Sequence, residues 1–568
     1  MAAKHSTSGE GACALHAIHT LTWKLGIGRV GLNSGAVIGL SLTVGGWLSN
    51  FIVFLIQEFN INSIDAAKIA NVVNGSSSFI PIIAAIIADS FFGSFSVISV
   101  SSCISLLGII LLTLTATLNS LKPQPCAIVS ELCQPTSTLQ YAIPYAAYIP
   151  FSTSIGLGGT RFTMAILGAN QFDRRKDQAT FFNWCFVSIY SASIVGLTVI
   201  IYLEDNVGYR RGFGLAVITN LVAIAIFLSG TRFYKYDKPQ GSPFVGLARV
   251  IVAATWKRNL QISSESKDYY YGNYGVTGVE AAASSRSLRF LNRAAQKTEG
   301  DIRSDGSIVK PWRLSTMQQV EDFKTIIRIF PMWSIGIFLA TPLAIQSSLS
   351  ILQALTMDPH LGPHFRIPPG SVVVIILISN VISLSLIDRF LYPAWQKLIG
   401  RSPTPLQRIG LGHMLNILSM AVAAMVESKR LKVFQDHHLH DQPGAVVPML
   451  ALWLFPQLTL IGIGEAFHFP GQVEFFYQEF PLSLRSTSTA LTSLIIGISF
   501  YLSTGVINLV QRITGWLLNN ISDGKLDNVY WMLAVVGVIN FGYYLVCAKF
   551  YKYQNVKGAD GSPDPDSA

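Results

Sequence analysis

One permanent positive charge stands inside an apolar stretch. In IGLGGTRFTMAIL (155–167), Arg161 is the only charged residue between Glu131 and Asp173. With Asp173 at a helix end, a rise of about 1.5 Å per residue puts Arg161 about 18 Å inside it. That depth is near the middle of a hydrocarbon core about 30 Å thick. A guanidinium there costs about 2.5 kcal/mol or more unless it meets water or a counter-charge. Its forked donors suit a planar oxyanion. Residue type and depth therefore predict a fixed cation on a central cavity that attracts an anion; a structural ion pair between helices is the alternative reading. The GLGG run just before it (156–159) lets another helix or a ligand come close. Glu465, in LIGIGEAFHFPG (460–471), is the second such charge, alone between Asp441 and Glu474. It is the expected partner of Arg161, either in a salt bridge that breaks and reforms or as a protonation site. His468 follows at i+3 and is expected on the same face. Asn50 and Gln346 are the polar side chains expected to help hold the anion from other helices.

Such residues need a membrane-spanning frame, and composition supplies one. Of 568 residues, 50% are hydrophobic and 13% charged, and mean hydropathy is +0.44. A soluble chain carries about 25% charged residues. Apolar runs of spanning length recur at 34–57, 67–91, 95–118, 139–170, 180–203 and 211–230, then at 324–346, 370–392, 405–426, 448–473, 486–512 and 530–550. The stretch from Val30 to Gln57 carries no charge. The predicted organisation is a cytoplasmic N-terminal segment (1–30), a six-helix bundle (31–232), a cytoplasmic linker (233–322), a second six-helix bundle (323–552) and a cytoplasmic tail (553–568). The start lacks the apolar core of a signal peptide, so it is expected to remain uncleaved. Formal net charge is +10. The excess sits in short loops and in the linker, where it orients helices, so no nucleic-acid partner is expected. DRRKDQ, QKLIGRSPTP and the linker fall on the cytoplasmic side, whereas ESKRLK (427–432) reads as an external loop against the positive-inside rule.

The halves echo each other. ADSFFG (88–93) follows the second span and IDRFLYP (387–393) the eighth, each placing an aspartate before an aromatic turn. With six spans on either side of a long linker, this points to an all-α membrane protein of the major facilitator fold, twelve helices in two bundles. There is no Walker loop, HExxH or metal cluster, so neither an enzyme nor a bound metal or cofactor is expected. Cys126 and Cys133 share one external loop as a candidate disulfide, with two free thiols as the alternative. Asn520-Ile-Ser is an external glycosylation sequon.

Several stretches resemble the plant nitrate and peptide transporter family of the proton-coupled oligopeptide transporter clan. They are GANQFD (168–173), FFNW (181–184), FYKYDKPQGSP (233–243), VEDFK (320–324), TMDPHLGPHFRIPPGS (356–371), GIGEAFHFPG (462–471), FFYQEFP (475–481) and DNVYW (527–531). ADSFFG, TRFTMAILGANQFD, SLRFLNRAAQK and TPLQRIGLGHMLNILSMAV are similar to the nitrate excretion branch in particular. By that resemblance Arg161 stands at the family's helix-4 lysine and Glu465 at its helix-10 glutamate. The first-helix ExxER motif, tied in the family to proton coupling, falls on Val37, Leu40 and Ser41 and is gone. Ala344 stands at a nitrate-contacting histidine position, and Tyr190 at the helix-5 asparagine. The resemblance implies a plasma-membrane carrier of a small anion, nitrate by expectation, with the lipid bilayer as its surroundings. Efflux is the expected direction. A chloride or mixed-anion carrier, a proton-coupled importer and a non-transporting sensor are the competing readings.

Overall fold

A computed structural model of the chain describes residues 30–121, 155–172, 175–236, 243–263, 265–272, 288–303, 307–401, 403–441, 445–480, 485–518 and 520–551. The first half contains α1 (Val30–Phe59), α2 (Ser63–Ile87), α3 (Gly93–Thr117), α4 (Gly158–Ala169), α5 (Arg175–Val195), α6 (Ile201–Asn206) and α7 (Tyr209–Ser229). A π-type turn, Gly196–Ile200, joins α5 to α6 into one long segment. The linker contributes α8 (Pro243–Trp256). The second half contains α9 (Met317–Thr356), α10 (Val374–Leu386), α11 (Tyr392–Ile399), α12 (Pro405–Asp436), α13 (Phe455–Glu479), α14 (Arg485–Ile513) and α15 (Leu526–Phe550). Where the spans read from hydropathy fall on described residues they coincide mainly with these helices; positions 139–154 of the fourth lie outside the described residues. Among the described residues, nine helical runs are long and apolar enough to cross a membrane.

Within the first half α1 packs on α5 and α7, and α4 is seated between α2 and α3. Within the second, α12 lies between α13 and α15, and α10 packs on α13. The halves meet where α2 crosses α14 and α5 meets α10. Lipid tails are as apolar as leucine, so close backbone approach and polar links carry this association. At the α2–α14 crossing a Cβ on Gly75 would fall 2.9 Å from the Tyr501 ring, and one on Gly497 3.1 Å from the Phe79 ring. Ser76 and Tyr501 share a hydrogen bond of 2.7 Å, Lys68 Nζ donates to Gln511 Oε1 at 3.1 Å, and Ser348 Oγ donates to Asn71 Oδ1 at 2.7 Å. These links lie on the half of the bundle away from the linker, the outer half by the positive-inside rule. One buried apolar cluster there takes in Phe54 and Val73 from the first half with Leu349 and Ile507 from the second, so the outer seam is closed.

The echo between the halves is structural. ADSFF and IDRFL both form a π-type turn at the C-terminal end of a helix, at Ala88–Phe92 and Ile387–Leu391. The conflict with the positive-inside rule narrows. ESKRLK is not a loop: α12 runs on to Asp436. Glu427 and Arg430 are fully buried within the second half, and Lys429 lies over the Trp453 ring, 3.4 Å from its centroid. Arg430 is thus cancelled inside the bundle by Glu427, and Lys429 and Lys432 stay exposed.

α9 starts seven residues before its apolar span because its first turns are covered. Thr316 and Gln319 close a capping box, and Met317 and Val320 pack with Val250, Ala253 and Leu291 of the linker. A buried ion pair fixes that packing: Lys257 Nζ lies 2.7 Å from Asp301 Oδ2 and also donates to the Gln296 carbonyl. Burial alone would lift the Asp301 carboxyl; the Lys257 ammonium and the Thr298 hydroxyl outweigh it and hold the group below the usual carboxylate range. The pair's contribution is therefore complete above about pH 4 and lost as pH falls through the lowered value. Lys257→Met strands the carboxylate, at a cost of about 3–5 kcal/mol. The linker of that variant should become protease-sensitive at neutral pH while that of the parent stays resistant.

Candidate functional site

A cavity of about 180 Å³ lies between α1, α4 and α5 and is closed on one side by Leu377 of α10. α1 supplies Val37, Leu40 and Ser41 to its wall, α4 and the residue before it supply Leu157, Thr160 and Met164, and α5 supplies Tyr190 and Ser193. The wall is apolar with a scatter of hydroxyls. Val37, Leu40 and Ser41, the positions that the family resemblance singles out on the first helix, line this space with no ionisable group. α4 comes so close to its neighbours through the GLGG run. A Cβ at Gly156, Gly158 or Gly159 would run into Ser105, Ile80 or Ser101, respectively. Thr160 Oγ1 turns back on the Gly156 carbonyl at 2.8 Å, so α4 needs no partner for that hydroxyl.

Arg161 lies on α4 directly after Thr160 and three residues before Met164, both of which line the cavity. Its side chain is outside the described residues. Glu465 lies on α13 and is half-buried; its carboxylate accepts a hydrogen bond from Asn380 of α10. Asn380 is three residues along α10 from Leu377, so one helical turn separates the Glu465 site from the cavity wall. α13 reaches α10 here because a Cβ on Gly462 would run into the Ile376 carbonyl.

The other expected site residues are seated elsewhere. Asn50 is buried at the outer seam, and its Nδ2 donates to Glu204 Oε2 at 2.8 Å. Gln346 is fully buried inside the second half, where its Nε2 donates to Ser419 Oγ at 3.0 Å. Ser419 in turn donates to the Gln457 carbonyl at 2.8 Å. His468 does not share a direction with Glu465. Three residues turn a helix by about 300°, and α13 is wedged between two neighbours. Glu465 therefore meets α10, whereas His468 meets His413 of α12, ring centroids 5.6 Å apart. His413 is stacked on Tyr544 of α15. Asn520 is exposed, with Nδ2 donating to Asp523 Oδ2 at 2.8 Å. Cys126 and Cys133 lie outside the described residues. Among the described residues no group of three His, Cys, Asp or Glu side chains is placed to hold a metal. Glu204 carries no signal in the sequence: beside Asp205 at the end of a span it reads as a solvated helix end.

Two helical halves, joined face to face around a cavity lined by the helix that carries Arg161, define a membrane transporter of the major facilitator type rather than an enzyme. The chain belongs to the POT family, whose pattern (PTR2) matches residues 95–523. It is 52% identical over 531 residues to Protein NRT1/PTR FAMILY 2.3 of Arabidopsis thaliana, covering 93% of both chains. It is also 52% identical over 524 residues to Protein NRT1/PTR FAMILY 2.7 of the same plant, covering 92% of both. The fold matches the crystal structure of an auto-inhibited POT family peptide transporter with a TM-score of 0.67 at 15% identity, covering 93% of this chain and 98% of that one. It matches the POT family transporter PepTSo with a TM-score of 0.67 at 16% identity, covering 92% and 97%.

Proposed function

We propose that the chain lets nitrate out of the cell across the plasma membrane by alternating access, with Arg161 holding the anion beside the cavity of α1, α4 and α5. The observation that carries this reading is the cavity's first-helix wall. Val37, Leu40 and Ser41 face the helix that bears Arg161, so an anion site is kept where the groups tied to proton coupling are gone. Energetics favour the outward direction. A cell is negative inside, and one charge crossing 100 mV is worth about 2.3 kcal/mol. Import must overcome that with more than one proton per anion; export needs none. Glu465, one turn of α10 from the cavity, competes with the anion for Arg161. Occupancy then biases the rocking of the halves. The resemblance to the nitrate excretion branch supports both substrate and direction.

The test is flux in reconstituted vesicles at clamped voltage and pH, screened over nitrate, chloride and small organic anions. Nitrate flux should follow voltage and persist without a proton gradient. Chloride flux equal to nitrate flux would reassign the substrate to a mixed-anion class, and dependence on inward proton movement would reverse the proposed direction.

A further inference from the structure

The outer seam holds a buried carboxylate that transport by Arg161 and Glu465 does not use. Glu204, near the outer end of α6, is 1% exposed. One of its oxygens accepts from Asn50 Nδ2 of α1 at 2.8 Å; the other, Oε1, is buried and has no hydrogen-bond partner. α7 presses against it so tightly that a Cβ at Gly212 would run into Glu204 Cγ. The second half closes the slot: a Cβ at Gly370 would fall 2.5 Å from Asn50 Oδ1. One residue on, Ser371 Oγ donates to the Leu197 carbonyl of the first half at 2.6 Å. The seam between the halves thus runs directly over the Asn50–Glu204 pair.

The charged and titratable neighbours do not neutralise a carboxylate in that slot. From α1 comes Glu58, and from α6 Asp205, both grouped with Glu204 around the Tyr209 ring of α7. The nearby cation, Arg366, is set against Asp205 and donates its Nε to His360 Nε2 at 3.0 Å. A carboxylate shut away with an unpartnered acceptor and, among the described residues, no cation paired with it is costly, and a proton removes that cost.

We propose that Glu204 is a proton-binding site of the outer gate: it takes a proton from the external solution as the Gly370–Ser371 turn closes over Asn50, and returns it there as the gate opens. A hydrogen ion is its ligand, and the carboxyl O–H bond is the only bond made or broken. External acid then favours the closed outer seam and speeds the return of the empty carrier; external base favours the open one. This reading rests on alternating access but not on the identity of the anion. With one proton linked, the balance between closed and open forms shifts by up to about tenfold per pH unit.

The experiment uses the full chain in cells, with Ser371→Cys as a reporter and a membrane-impermeant charged thiol reagent applied outside, over the background of the chain without that cysteine. Between pH 5 and 8, labelling should rise at least about tenfold more steeply in the Glu204 chain than in the Glu204→Gln chain, whose slope reports only the thiol's own ionisation. Identical slopes would overturn the proposal. Should the reporter fail to reach the surface, nitrate efflux at external pH 5 and 8 in the chain with native Ser371 gives the same comparison: Glu204→Gln should flatten the pH dependence, and an unchanged dependence would overturn it. The labelling arm needs no substrate, so a chain that gates with pH but moves no nitrate refutes the substrate and leaves the proton site standing.

Discussion

Arg161→Ala should bring nitrate flux down to the background of empty vesicles while the protein still reaches the membrane. A charge-assisted pair of hydrogen bonds to an oxyanion is worth about 1.5–3 kcal/mol per contact, and two contacts from one fork correspond to a loss of roughly 100-fold or more in affinity. The variant should fold, because removing a guanidinium from mid-membrane depth removes a cost. Arg161→Lys separates charge from geometry. It keeps the point charge but not the planar fork, so flux should fall by about tenfold rather than vanish. The order Arg > Lys > Ala is the discriminating result. Equal flux in all three would take the anion site away from α4, and equal loss in Lys and Ala would mean that the fork alone, not the charge, does the binding.

Hydropathy was enough to place the helices, since a polar backbone in lipid has few forms open to it. What hydropathy could not place was anything settled by a neighbour distant in the chain. ESKRLK reads as a loop because its charges look solvated; it is helix because Gln353 and Ser522 lie ready to bond Glu427 and Arg430. Glu465 and His468 read as one face by spacing, but α10 and α12 approach α13 from different sides and divide them. Asn50 and Gln346 were legible as polar residues in apolar helices. Depth alone does not say whether such a residue meets a cavity or another side chain, and the structure gives both to side chains. The family resemblance singled out the positions of Val37, Leu40 and Ser41, but that they line a cavity was not legible in the sequence. Glu204 was not legible at all, because the turn that buries it, at Gly370, lies in the other half of the chain.

The second large effect belongs to the pair that misled the loop reading. Arg430 reaches Glu427 through both arms of its fork, Nε to Oε2 at 2.8 Å and Nη2 to Oε1 at 2.6 Å. Gln353 Nε2 of α9 donates to Glu427 Oε2 at 2.6 Å, and Tyr530 of α15 donates to Gln353 Oε1 at 2.9 Å. Arg430 Nη1 donates to Thr356 Oγ1 and Ser522 Oγ. Both charges are fully buried, so either alone is uncompensated, and Arg430→Met or Glu427→Leu should each cost about 3–5 kcal/mol. The double variant is the sharper case. Replacing both charges by apolar groups removes the stranded ion, so the joint cost should be well below the sum, a coupling of roughly 1–3 kcal/mol of the kind that contacting residues show. Thermal unfolding of the three purified variants in detergent reads this directly. Additive losses would mean that the surrounding Gln353, Thr356 and Ser522, rather than the ion pair, carry the stability. A non-additive result would make the outer end of the second half one rigid unit that ties α9, α12 and α15, which is what a half that rocks as a body against α2 and α5 requires.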